Sequence, residues 1–254
     1  PRPEKKYATP DQLDWDLWLG TAPVRPYAPE IYHPSKWRAW LDFGTGWSGD
    51  IGCHVFDATW KALDLTAPKT IQARVQDSWK ESKPRKGDTW PQSDHITWTF
   101  PGNSLTEKDE IKIEWFDGLF YPPEEAQKWY PGEKYPPESA LIVGTEGAVL
   151  IPNGGGAILL PRDKYKGTQK PKLDPRNHYH HFLDAILGKT KNESYFEQTG
   201  PMTEAILLGT VAIRNPDQNL KWDAENLTIK GNTSANKLIK RNYREGWEVE
   251  GFSA

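Results

Sequence analysis

The sequence predicts an α+β fold: an open, mostly antiparallel β-sheet with helices packed on one face. Short alternating stretches rich in β-branched and aromatic residues crowd the middle of the 254-residue chain, and helix-period stretches lie before and after them. Strands and helices do not alternate as they do in a parallel sheet, and no G-x-G-x-x-G follows a strand, so no dinucleotide-binding unit is expected within the chain.

Composition supports a packed domain. The hydrophobic fraction is only 36%, but 13 Trp, 10 Tyr and 8 Phe concentrate it in large rings, which disordered chains lack. The net charge of -3 and the absence of a basic stripe argue against nucleic acid as a partner. No apolar run approaches a membrane span, and the start, PRPEKKYATPDQ, lacks the apolar stretch of a signal peptide. A soluble protein is expected, cytoplasmic or periplasmic. A single cysteine, Cys53, leaves no internal disulfide and no cysteine-based zinc site.

Along the chain, residues 1–48 form a Pro- and Trp-rich region, expected as ordered loop with one helical turn at Asp14–Leu19. Gly49–Leu63 has helical period, with Ile51, Val55, Ala58 and Ala62 on one face and Asp50, His54, Asp57 and Lys61 on another. Strands are expected at Thr70–Gln76, His95–Phe100, Ile111–Phe116, Ala140–Val143, Ala148–Ile151 and Ala157–Leu160, with turns at Gly144–Gly147 and Asn153–Gly156. The second turn lacks the Lys-Ser/Thr and the helix of a phosphate loop. Pro122–Pro137 reads as extended surface loop. Helices are expected at His178–Leu187, stopped by Gly188, at Pro201–Arg214 with Pro201 in the first position, and at Asn236–Glu245.

The stretch Gly49-Asp-Ile-Gly-Cys-His-Val-Phe-Asp57 carries the chemistry. On a helix it stacks Asp50, His54 and Asp57 along one side. Histidine exchanges protons near neutrality, and a carboxylate beside it can orient the ring and stabilise its charged form. A capped amphipathic helix would show the same spacing, since Asp50 suits a helix N-terminus. Trp37, Arg38, Trp40 and Trp47, just upstream, fit a sugar-binding wall or plain loop packing equally well. Asp57 could touch substrate or tie down a neighbouring loop. Asn177-His-Tyr-His-His181 puts His178 and His181 on one helix face, but a metal would need a further ligand from elsewhere, so no metal is assigned. His33 and His95 read as surface or strand residues.

Three long stretches carry a resemblance: Leu13-Asp-Trp-Asp-Leu-Trp-Leu-Gly20; Trp37-Arg-Ala-Trp-Leu-Asp-Phe-Gly-Thr-Gly46 with Gly49-Asp-Ile-Gly-Cys-His54; and Gly200-Pro-Met-Thr-Glu-Ala-Ile-Leu-Leu-Gly-Thr-Val-Ala-Ile-Arg214, followed by Leu220-Lys-Trp-Asp223. Together they resemble the C-terminal, substrate-side domain (residues 1–254) of the glucose–fructose oxidoreductase / inositol dehydrogenase (Gfo/Idh/MocA) family. The resemblance implies one open sheet with helices on one face, and His54 as the proton-transfer residue with Asp50 contacting the substrate or His54. Arg38, Trp47, Asp57 and His178 are candidate substrate contacts beside them. It also implies NAD or NADP as cofactor, bound mainly by a Rossmann domain that this chain lacks, along with the family's Glu-Lys-Pro motif. By this comparison the chain begins after that domain and after the sheet's first strand. It is therefore expected to be a fragment, unable to transfer hydride alone. The substrate would be a sugar, polyol or sugar derivative, and the outer sheet face would make a homo-oligomer. The alternative is a cofactor-free module that binds carbohydrate or performs acid/base chemistry of the lyase or hydrolase kind, or a fragment inactive on its own.

Overall fold

The structure, a computed structural model, describes the chain apart from residues 1, 4, 133, 170, 174 and 252–254. Helices are α1 (Trp15–Leu19), α2 (Gly46–Ala62), α3 (Asp77–Lys80), α4 (Lys83–Asp88), α5 (Glu124–Gln127), α6 (His178–Ile186), α7 (Phe196–Arg214) and α8 (Thr233–Asn236), with a 3-10 turn at Lys36–Ala39. Strands are β1 (Thr70–Val75), β2 (Asp94–Pro101), β3 (Glu110–Phe116), β4 (Ser139–Val143), β5 (Ala148–Pro152), β6 (Ile158–Leu160), β7 (Leu220–Asp223) and β8 (Thr228–Ile229). The α+β class stands. The strands divide into a five-stranded sheet, β3-β2-β1-β7-β8, and a three-stranded sheet, β4-β5-β6, rather than forming one. Every pairing among these strands is antiparallel.

Alternation decides which face of the larger sheet is covered. Ile71, Ala73 and Val75 of β1 and Ile96, Trp98 and Phe100 of β2 point inward and are buried. Gln72, Arg74, His95, Thr97 and Glu114 take the intervening positions, which makes the outer face mostly polar, with Phe116 stacked on His95 at one end. α7 lies on the inner face and buries most of its length from Met202 onward. The helix starts five residues earlier than expected and holds Pro201 inside, because its first turn is an exposed extension of the packed part. Trp98 fastens helix to sheet: its indole N–H donates to the Ala205 carbonyl at 2.8 Å.

α2 packs on α7 with a face different from the one its small apolar residues suggested. Gly52, Phe56, Thr59 and Trp60 are buried, whereas Ile51, Val55 and Ala58 are half-buried and Ala62 is exposed. Burying two large rings removes more apolar area from water than burying alanines. Phe56 and Trp60 meet Phe100 edge-on, and a side chain at Gly52 would come within 3.2 Å of Ile206. The polar edge of α2 therefore stays outward.

Two further clusters complete the fold. In the N-terminal region Trp15, Trp18, Tyr27, Tyr32, Trp40 and Phe43 pack against one another, Trp15 stacked on Trp18 and the others mostly edge-on. Arg2 is inserted among them, paired with Asp42 at 2.6 Å and Asp88 at 3.0 Å, over the Trp40 ring. The loop 122–137 is not merely extended surface. It forms α5 and buries Tyr130, which with Ala148, Leu150 and Leu160 makes the core of the smaller sheet. The helix expected at Asn236–Glu245 is only the short α8. Beyond it the chain straps onto the N-terminal region: Arg241 donates to the Leu41 carbonyl and Arg244 to that of Gly20. Leu238 and Ile239 stay exposed there, so no apolar face is available to hold a helix.

Candidate active site

The site is built where the 3-10 turn meets the start of α2. Gly44 brings them together: a β-carbon at that position would lie 2.6 Å from the Arg38 α-carbon, so only glycine lets the chain fold back over Arg38. Gly46, at φ +73°, turns the backbone into the helix. The Arg38 side chain then reaches forward, and its Nε donates to Asp50 Oδ2 at 2.5 Å. The guanidinium lies over the Trp37 ring, 4.5 Å from its centroid. The pair is partly exposed, with side-chain exposures of 36% and 21%, which leaves it within reach of a ligand.

His54 follows one helical turn after Asp50 and is exposed. Among the described residues it makes no hydrogen bond or ion pair. The expectation that Asp50 orients His54 is not met, because the Asp50 carboxylate is turned to Arg38. A permanently charged planar guanidinium offers a stronger, charge-assisted bond than a neutral imidazole. Asp50 Oδ1 has no partner among the described residues. The site therefore presents a carboxylate acceptor, guanidinium donors and a free imidazole along one edge of α2.

The other expected residues divide. Trp47 sits in the first turn of α2 and is 47% exposed, available as a wall. Trp40 is not a wall; it is buried among Tyr32 and Arg2, with its indole N–H on the Ile31 carbonyl. Asp57 ties down a neighbouring segment: Oδ1 accepts from Gln198 Nε2 at 3.1 Å and Oδ2 faces Lys61 at 3.3 Å. Lys61 in turn donates to the Glu193 carbonyl. Glu193 forms a bidentate pair with Arg176 at 2.5 and 2.8 Å, which holds its carboxyl down at about 2. These links moor the segment around α6 to α2. His178 opens α6, capped by Asn177, and its ring faces Tyr179. No hydrogen bond or ring contact joins it to Asp50 or His54 among the described residues. Gln198 and Glu193 were missed from sequence, since nothing in their local pattern marks a long-range partner.

Residues 3–95 match the family model for the C-terminal alpha/beta domain of Gfo/Idh/MocA oxidoreductases. The matched stretch holds Arg38, Trp47, Asp50, His54 and Asp57 and ends within β2. No curated protein matches the chain.

Proposed function

We propose that this chain, whose residues 3–95 match the C-terminal alpha/beta domain model of the Gfo/Idh/MocA oxidoreductase family, supplies the substrate-binding and proton-transfer side of an oxidation of a sugar, polyol or sugar derivative. The observation that carries the reading is the free imidazole of His54 one turn beyond a carboxylate held by Arg38. Oxidising an alcohol to a carbonyl removes a hydroxyl proton as well as a hydride, and a neutral imidazole accepts that proton near pH 7. Asp50 Oδ1 would accept from a neighbouring hydroxyl and the Arg38 guanidinium would donate to one, fixing the sugar against α2. Trp47 would cover its apolar face.

The redox group of the family is NAD or NADP. The described residues do not fit a dinucleotide: their strand pairings are all antiparallel, and the glycine turn after β5 leads into β6 rather than into a helix. No cofactor contact is therefore assigned, and the steps above belong to the chain's own residues. The second reading is a cofactor-free module that binds carbohydrate or performs acid/base chemistry on it, with the exposed His54 and the Arg38-held Asp50 as its acid/base groups. Self-association through the outer sheet face is also a proposal; that face is mostly polar, with Phe116 stacked on His95.

The test is turnover of a panel of sugars and polyols with NAD or NADP, in the presence of a nucleotide-binding domain of the same family. The proposal expects reduced nicotinamide to form, and His54→Ala to slow it by about 10²–10⁴-fold. Turnover unaffected by His54→Ala would sink the assignment. Sugar conversion without any nucleotide would favour the second reading.

A further inference from the structure

A depression of about 380 Å³ lies on the smaller sheet, between the segment 128–131 and the exit of β6. That is within the range of about 300–1,000 Å³ common to small-molecule sites. None of its lining residues belongs to α2, to the segment 37–47 or to α6. Its floor is apolar, made by Leu160 and Tyr130, which are 2% and 8% exposed. Trp129, Pro131 and Pro161 form walls, and Lys128, Arg162 and Asp163 stand on the rim.

The site is held in shape from beneath. Arg162 Nη2 donates to the Tyr130 hydroxyl at 2.7 Å, and its guanidinium lies over the Tyr130 ring. Tyr130 stacks on Tyr135 at 5.6 Å, and the Tyr135 hydroxyl donates to the Ala126 carbonyl. Three polar groups at the opening are unused among the described residues: the indole N–H of Trp129, the ammonium of Lys128 and the carboxylate of Asp163. They comprise two donors and one acceptor, of both charge signs, around an apolar bed.

We propose that this depression is a second carbohydrate site, separate from Asp50 and His54, which takes one pyranose unit. A pyranose has an apolar face of axial C–H bonds that lies well on an indole or proline ring, and a rim of hydroxyls that both donate and accept. An anion would find the Asp163 carboxylate against it. A purely apolar ligand would make no use of the three polar groups around the opening. The inference does not depend on hydride transfer, and it stands or falls apart from the His54 assignment.

Saturation-transfer NMR with the methyl glycosides of glucose, galactose and mannose tests it. At least one glycoside is expected to receive magnetisation on its ring C–H protons. Its affinity should fall about tenfold, equivalent to ~1.4 kcal/mol, in Trp129→Ala and in Asp163→Asn, and hold in His54→Ala. Trp129 also packs on the small core, so if Trp129→Ala does not fold, the exposed Lys128→Gln and Asp163→Asn decide. The proposal is overturned if no glycoside gives a signal, if Asp163→Asn and Lys128→Gln bind as well as the native chain, or if His54→Ala alone abolishes the signal.

Discussion

At Asp50 a single carboxylate has two neighbours of opposite habit. Arg38 is charged at every relevant pH, and its pairing leaves the imidazole of His54 free for a ligand. The helical spacing of Asp50 and His54 could be read directly from the sequence, since it is local. Arg38 lies twelve residues upstream, and only the fold-back at Gly44 brings it in, so its bond to Asp50 had no local signal. A second carboxyl shows the opposite economy. Asp94, at the start of β2, is 2% exposed, and its Oδ1 has no partner. Burial pushes its carboxyl well above the ordinary range, and the neighbouring Asp117 charge adds to the rise. Asp117 is itself raised by burial, although it accepts the Asp94 backbone N–H at 2.6 Å and the Trp115 indole N–H at 3.0 Å. A raised value means that the folded chain holds a proton the unfolded chain releases, so stability declines as pH climbs from the unfolded-state value through the folded-state one. Asp94→Asn removes that ionisation. Thermal unfolding across pH should show the variant gaining on the native chain as pH rises between those two values. The slope that one proton sets is about 1.4 kcal/mol per pH unit. Parallel curves would mean that Asp94 ionises as readily in the fold as outside it.

At the scale of elements, glycines set how closely the helices approach. A β-carbon at Gly209 would sit 2.6 Å from Trp98 Cζ2 and 3.2 Å from Ile96 Cδ1, so α7 can lie on the sheet only because that position is bare. Gly209→Ala should cost about 1–3 kcal/mol through overpacking, measured by denaturant unfolding; an unchanged midpoint would show that α7 does not lie this close. These approaches also mark where sequence reading stopped. The six expected strands could be placed within a residue because alternation is local, whereas the short β7 and β8 were not expected, since four and two residues carry too little alternation to read. The burying face of α2 was misjudged because its small residues, Gly52 above all, signal a partner helix that only the fold supplies. The division into two sheets depended on Tyr130 turning into the smaller core, and proline-rich composition gives no hint of that.

For the whole molecule, the polar edge of α2 is the surface on which the chemistry rests, and α6 is the surface still in need of cover. Described residues of α6 include no buried side chain, and Tyr179, Phe182, Leu183 and Ile186 are all exposed, with Phe196 nearby in sequence at 89%. Contiguous apolar surface of this kind is the sort that a partner or another segment of chain covers. The double variant Phe182→Asp, Ile186→Asp should bind less hydrophobic dye than the native chain, with unfolding little changed. Equal dye binding would mean that the face is already covered in solution. The central claim concerns His54, and it is tested most directly by two-dimensional NMR of the histidine ring and tryptophan indole signals during titration with a sugar that binds. The account predicts that the His54 ring signals move with saturation of the sugar, and that they move less in Asp50→Asn. If no sugar that still binds the Asp163→Asn variant, where the second site is weakened, moves the His54 signals, the ligand lies elsewhere and the assignment of His54 to the active site is contradicted.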